Sequence, residues 1–122
     1  MLKGSQTLVE IAIGNESSTK RNKVGRRVIP AIIDYIRHPN QVMQLLNLSG
    51  CMFEDIGIIR LCEGLVGNAS LFSLNLSQNE MSSTGVQSLA QSLEGTNITE
   101  LDISSNPIGN VGVDILCSQY LQ

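Results

Sequence analysis

The stretch LFSLNLSQNEMSSTG at residues 71–85 returns as ITELDISSNPIGNVG at 98–112, and laying one over the other decides how the chain folds. Leu71, Leu74, Leu76, Asn79, Met81 and Gly85 fall on Ile98, Leu101, Ile103, Asn106, Ile108 and Gly112, with the same offset at every pair. Met43, Leu46, Leu48, Cys51, Phe53 and Gly57 hold the same places one unit before Leu71, with cysteine as an accepted substitute for the asparagine. An earlier copy begins at Leu8, Ile11 and Ile13, takes up extra residues, and regains the register at Asn22 and Val24, with Val28 in the glycine place.

A second period marks the same units. One residue after each glycine place runs an apolar set with i, i+3, i+4, i+7 spacing: Ile29, Ile32, Ile33, Ile36; Ile58, Leu61, Cys62, Leu65; Val86, Leu89, Ala90, Leu93; and Val113, Leu116, Cys117, Tyr120. That spacing predicts four helices. The pairs Ile11/Ile13, Leu46/Leu48, Leu74/Leu76 and Leu101/Ile103 alternate with period two, which sends the leucine-type residues to one side of a short strand. Each unit is therefore strand, bend, helix. One such unit cannot bury its apolar faces alone, so the units must stack. At the bends, Asn79 and Asn106 are expected to satisfy backbone groups with both ends of the amide, and Cys51 to fill the slot as a small buried hydrophobe. The glycines are expected to let each helix start close to the turn.

These residues resemble the leucine-rich repeat family, and the long unit, about 28 residues with a full helix, is similar to its ribonuclease-inhibitor-like subclass. The resemblance runs from about Leu8 to the C-terminus. It implies an α/β solenoid, a horseshoe segment of about four strand-helix repeats with a parallel concave sheet and outer helices. The expected boundaries are a single domain over 1–122, repeats at about 8–42, 43–70, 71–97 and 98–122, and an insertion loop at about 14–21. For function it implies a non-catalytic scaffold or recognition domain that binds a protein partner.

Composition suits that reading: 42% of the 122 residues are hydrophobic but only 3% aromatic, as in a core tiled by Leu, Ile and Val. The longest apolar stretches are short and the N-terminus lacks a charged region followed by an apolar core, so no membrane span and no secretory signal are expected. A cytoplasmic location follows as the expectation. Cys51, Cys62 and Cys117 are odd in number, widely spaced and on repeat positions expected to be buried, hence core thiols. With the lone His38 beside Pro39, no metal site is expected, and no cofactor. Asn15, Asn47, Asn68, Asn75 and Asn97 match the glycan acceptor pattern, but Asn47 and Asn75 belong to the repeated strand, where a glycan would sit in the middle of a sheet.

Two surfaces are candidates for partner contact. Residues pointing away from the leucines line the inner curve, row by row: Val9, Gln44, Phe72, Thr99; Glu10, Leu45, Ser73, Glu100; Ala12, Asn47, Asn75, Asp102; and Gly14, Ser49, Ser77, Ser104. Of these, Glu10, Gln44, Leu45, Asn47, Phe72, Ser73, Asn75, Glu100 and Asp102 are the expected partner-binding residues, since stacked strands form an extended platform. The other surface is basic. Lys20, Arg21, Lys23, Arg26 and Arg27 fall within eight positions, whereas no Lys or Arg follows Arg60 and six acids do. This cluster suits an acidic partner, but no aromatic residues interleave with it for stacking, so nucleic acid is disfavoured and a solvated insertion loop is the plainer reading.

No Ser/His/Asp or Cys/His grouping, no G-x-x-x-x-G-K-[ST] and no G-x-G-x-x-G occurs, so no catalytic residue is expected. A regulator of a small GTPase, resembling the activator of Ran, is the alternative, with Arg21 or Arg26 supplying positive charge. Finally, the fourth helix ends at Tyr120, Leu121 and Gln122 without a polar cap. The expectation is therefore further repeats or end-to-end self-association.

Overall fold

A computed structural model describes residues 10–12, 25–39 and 42–120. Within them the order is β1 (Glu10–Ala12), a 3-10 turn at Gly25–Val28, α1 (Ile29–Ile36), β2 (Leu45–Asn47), α2 (Glu54–Leu65), β3 (Ser73–Asn75), α3 (Ser83–Leu93), β4 (Glu100–Asp102) and α4 (Gly109–Tyr120). The strands form one parallel sheet in the order β1-β2-β3-β4. Its register pairs Ile11 with Leu46, Leu46 with Leu74 and Leu74 with Leu101, the same residues that the period superposes. The helices pack in chain order, α1 on α2, α2 on α3 and α3 on α4. Within the strands the middle residue is the more buried and its two neighbours are half-buried or exposed, so the helices cover one sheet face and leave the other open.

Burial follows the rungs. Met43, Leu46, Leu48, Phe53, Ile58, Leu61 and Leu65 of the second unit join Leu71, Leu74, Leu76, Met81, Val86 and Leu89 of the third in one continuous apolar core. In the last unit the equivalent Ile98, Leu101, Ile103, Ile108 and Leu116 are only half-buried, because among the described residues β4 and α4 have a neighbour on one side. Two expected core residues of that unit lie at the surface. Val113 and Cys117 are exposed, whereas Val86 and Ala90 at the same places one unit earlier are buried beneath α4. A residue's fate here is set by its neighbour rather than by its own repeat position.

The glycines also differ from expectation. Helices α2, α3 and α4 begin three to four residues before their apolar sets, so Gly57, Gly85 and Gly112 sit within the first helical turn rather than ahead of it. The conformational demand falls elsewhere. After α2, Val66 (φ −56°, ψ 125°) and Gly67 (φ +78°) turn the chain, and Asn68 N–H donates to the Leu65 carbonyl at 2.9 Å. After α3, Glu94 (φ −62°, ψ 131°) and Gly95 (φ +80°) repeat the turn, with Thr96 N–H donating to Leu93 O at 3.1 Å. These are type II turns, which want glycine at the third place. Open space surrounds the Gly95 Cα, so Gly95→Ala tests backbone strain alone. The expected cost is about 1 kcal/mol, read by urea denaturation; no change would show that the turn relaxes freely.

Candidate functional site

The open face of the sheet is defined by alternation. In β2 and β3, Leu46 and Leu74 are buried while Leu45, Asn47, Ser73 and Asn75 are half-buried; in β4 the flanking Glu100 and Asp102 are exposed. The row before the strands joins this face through a shared acceptor. Gln44 O accepts from both Phe72 N–H (3.0 Å) and Ser73 N–H (3.1 Å), and Phe72 O accepts from both Thr99 N–H (2.9 Å) and Glu100 N–H (3.0 Å). That doubling places two consecutive residues, Phe72 and Ser73, between the buried Leu71 and Leu74, and both remain half-buried. The register sets Glu10 beside Leu45, Leu45 beside Ser73 and Ser73 beside Glu100, so these four share one row across the sheet.

The last two rows do more structural work than the sequence suggests. Asn47 Oδ1 accepts from Ser49 N–H (3.0 Å); Asn75 Oδ1 accepts from Ser77 N–H (2.9 Å) and the Ser77 hydroxyl (2.8 Å); Asp102 Oδ1 accepts from Ser104 N–H (3.0 Å) and its hydroxyl (2.7 Å). Each side chain closes a turn that ends its strand. Ser49 and Ser77 are consequently buried and do not line the face, which corrects their place in the expected rows. The acceptor-pattern asparagines Asn47 and Asn75 are explained by the same turns. Asn68, also an acceptor-pattern match, is buried, with its amide donating to Ile36 O (3.4 Å) and its carbonyl accepting from Leu71 N–H (2.8 Å).

Behind the face, the bends are held by an amide ladder. Asn79 Oδ1 accepts from Cys51 N–H (3.1 Å) and Phe53 N–H (3.3 Å), and its amide donates to Leu48 O (2.9 Å), Leu76 O (3.1 Å) and Ser77 O (3.1 Å). Asn106 repeats this one unit on, accepting from Asn79 N–H (2.8 Å) and Met81 N–H (2.9 Å) and donating to Leu76 O, Ile103 O and Ser104 O. Both ends of each amide are used, and the reach extends into the preceding unit. Cys51, in the same slot, has only its thiol to donate, to Ser49 O at 3.8 Å. The residue before each slot, Gly50, Gln78 or Ser105, has φ of 69°, 57° or 58°, so the bend requires a left-handed residue that only one unit supplies as glycine.

A carboxylate absent from the sequence reading joins α2 to α3. Asp55 accepts from Ser82 N–H (2.8 Å), Gly85 N–H (3.1 Å) and the Ser82 hydroxyl, capping a helix of the next unit. A Cβ on Gly85 would lie 2.6 Å from both Asp55 Oδ1 and Met81 Cγ, so this contact explains the glycine. The positions equivalent to Asp55 are Ser83 and Asn110, and no period betrays its role.

The basic cluster is placed in part. Lys20, Arg21 and Lys23 lie outside the described residues, as does the 14–21 insertion; Arg26 and Arg27 belong to the 3-10 turn, and Arg27 is exposed. Among the described residues no helix is long and apolar enough to cross a membrane.

The thiols differ sharply. Burial pushes Cys51 up to about 11; burial does the same for Cys62, where a Ser92 hydrogen bond opposes the rise and Glu63 adds to it, leaving about 11. Both are therefore neutral at pH 8, whereas Cys117 is exposed. A thiol reagent is expected to label Cys117 alone in the native protein at pH 8, detected by peptide mass; labelling of Cys62 at a comparable rate would contradict its burial. Because the native state holds these protons more tightly, the contribution of these two thiols to stability is expected to be fully present below about pH 9 and to be lost between about 9 and 11.

A stack of strand-helix units with leucines on the covered face and asparagine at the bend defines a leucine-rich repeat protein. A leucine-rich repeat family model matches residues 67–90 and 96–117. Leucine-rich repeats are thus present over those two stretches. The chain is 38% identical over 72 residues to mouse NACHT, LRR and PYD domains-containing protein 14, a match covering 57% of this chain and 7% of that protein. It is 26% identical over 132 aligned positions to human NACHT, LRR and PYD domains-containing protein 12, covering 84% of this chain and 12% of the relative. The chain thus spans about a tenth of the length of the relatives it matches. Among solved structures it is similar in fold to leiomodin-1 actin-binding site 2, with a TM-score of 0.65, 22% identity, and coverage of 88% of this chain and 61% of the other.

Proposed function

We propose that this chain is a protein-recognition module, a solenoid segment of about four repeats in one domain over 1–122, that binds its partner on the open, concave sheet face. The observation that carries the reading is the in-register row of strands whose face holds Leu45 and Phe72 amid polar residues, with no helix covering it among the described residues. Concave sheets of repeat arrays are extended platforms, and half-exposed apolar groups there gain from burial against a partner. The long unit with full helices supports the ribonuclease-inhibitor-like subclass, and a cytoplasmic location accords with buried free thiols. The half-buried apolar residues of β4 and α4 support a further repeat, or another copy, against that end. Affinity capture from the source cell with wild type beside Leu45→Glu/Phe72→Glu tests the surface. Partners lost only with the variant support it; partners retained by the variant but lost on neutralising Lys20, Arg21 and Lys23 assign binding to the basic segment instead.

A further inference from the structure

We propose that the occupant of this face is a basic polypeptide segment carrying one apolar anchor, an inference that rests on the sheet face being the binding surface. The charge on the face is one-sided. Across the described positions 44, 45, 47, 72, 73, 75, 99, 100 and 102, the ionisable side chains are Glu100 and Asp102, both exposed and both acidic. No lysine or arginine follows Arg60 in the sequence to neutralise them. The apolar groups, Leu45 and Phe72, lie on β2 and immediately before β3, whereas the carboxylates lie on β4. The face is therefore divided into an apolar side and an acidic side.

A third feature has the same polarity. Gln44 Oε1 is buried with no hydrogen-bond donor among the described residues, beside the backbone pair that joins Gln44 to Phe72. A buried acceptor without a donor is costly, and a partner N–H reaching an outward-turned Gln44 amide would relieve it. The face thus offers acceptors and negative charge, and the complement is a donor-rich, positively charged chain. Two strand spacings separate β2 from β4, about 10 Å, so an extended segment crossing the strands would carry Lys or Arg about three residues from its apolar anchor. Attraction of this kind steers encounter and weakens as salt rises.

The test is selection from a randomised twelve-residue peptide library displayed on phage, against wild type and against Glu100→Lys/Asp102→Asn. Asparagine is chosen at 102 because Asn75 closes the equivalent turn one strand away, so the fold is kept while the charge goes. Wild type is expected to enrich peptides combining Lys or Arg with Leu, Ile or Phe, and the variant to bind those peptides about tenfold more weakly at low salt, measured by fluorescence anisotropy. Peptides without a basic bias, or with equal affinity for the variant, overturn the proposal, as does failure to enrich any peptide. Leu45→Glu/Phe72→Glu separates the two levels of the argument. Uncharged binders lost with that variant leave the sheet face as the binding surface and remove only the basic partner; binders retained by it remove both.

Discussion

Asn79→Leu is expected to destabilise the chain by about 4 kcal/mol or more, the largest effect of any single substitution considered. The branching of the side chain is preserved, but methyl groups cannot sit at hydrogen-bond distance from backbone N–H and C=O groups, so crowding adds to the loss of the hydrogen bonds. Asn79 is fully buried and bonds five backbone groups, the N–H of Cys51 and Phe53 and the carbonyls of Leu48, Leu76 and Ser77. These belong to two successive units, and leucine leaves every one of those bonds unmade. Leu76 O and Ser77 O keep other donors, the Asn106 amide and Gly50 N–H, whereas the N–H groups of Cys51 and Phe53 lose their acceptor; at about 1 kcal/mol for each of the five lost bonds, the sum is a large part of the stability of a small domain. Asn79→Cys offers an internal control. The chain itself places cysteine in this slot at position 51, which keeps a weak donor and loses the acceptor, so an intermediate loss is expected. Urea denaturation followed by circular dichroism reads both; a loss below about 1 kcal/mol for Asn79→Leu would mean that water replaces the amide without difficulty.

Leu74→Ala is expected to cost about 3 kcal/mol, and Leu101→Ala less than half as much. The two leucines pair directly across β3 and β4 and occupy the same repeat position. Leu74 is buried between the rungs of β2 and β4, so truncation leaves a cavity walled on both sides. Leu101 is half-buried at the edge strand, where removed methyls were already partly wet and a void opens to solvent. The difference between them measures what a second neighbour contributes to an otherwise equivalent residue. Equal losses would show that position in the stack is irrelevant.

The sequence carried the repetition more plainly than the contacts between repeats. Leu46, Leu74 and Leu101 were legible as one rung because strand register and hydrophobic spacing are set by the same period, and β2–β4 pair them so. The two-ended use of Asn79 and Asn106 was legible for the same reason, although the reach into the preceding unit was not. Asp55 was hidden because its partners, Ser82 and Gly85, lie in the next unit and its own repeat position is not acidic elsewhere. The strand-ending turns had a visible signal, the thrice-repeated Asn/Asp-x-Ser of Asn47–Ser49, Asn75–Ser77 and Asp102–Ser104. A period-two reading assigns such residues to a face without revealing that a local turn consumes them. Val113 and Cys117 were placed in the core by an apolar period that describes an interior unit, and end units obey it only when something covers them.

Native-state hydrogen exchange at the backbone amides of Cys51 and Phe53 tests most directly whether neighbouring units are locked together through the Asn79 side chain. Both amides lie in a bend outside the strands and helices, and both donate to Asn79 Oδ1 of the following unit. If the units interlock, these amides exchange as slowly as the interior of α2, with opening free energies close to that of global unfolding. Exchange at the rate of an ordinary exposed loop, while α2 and α3 remain protected, would contradict the account.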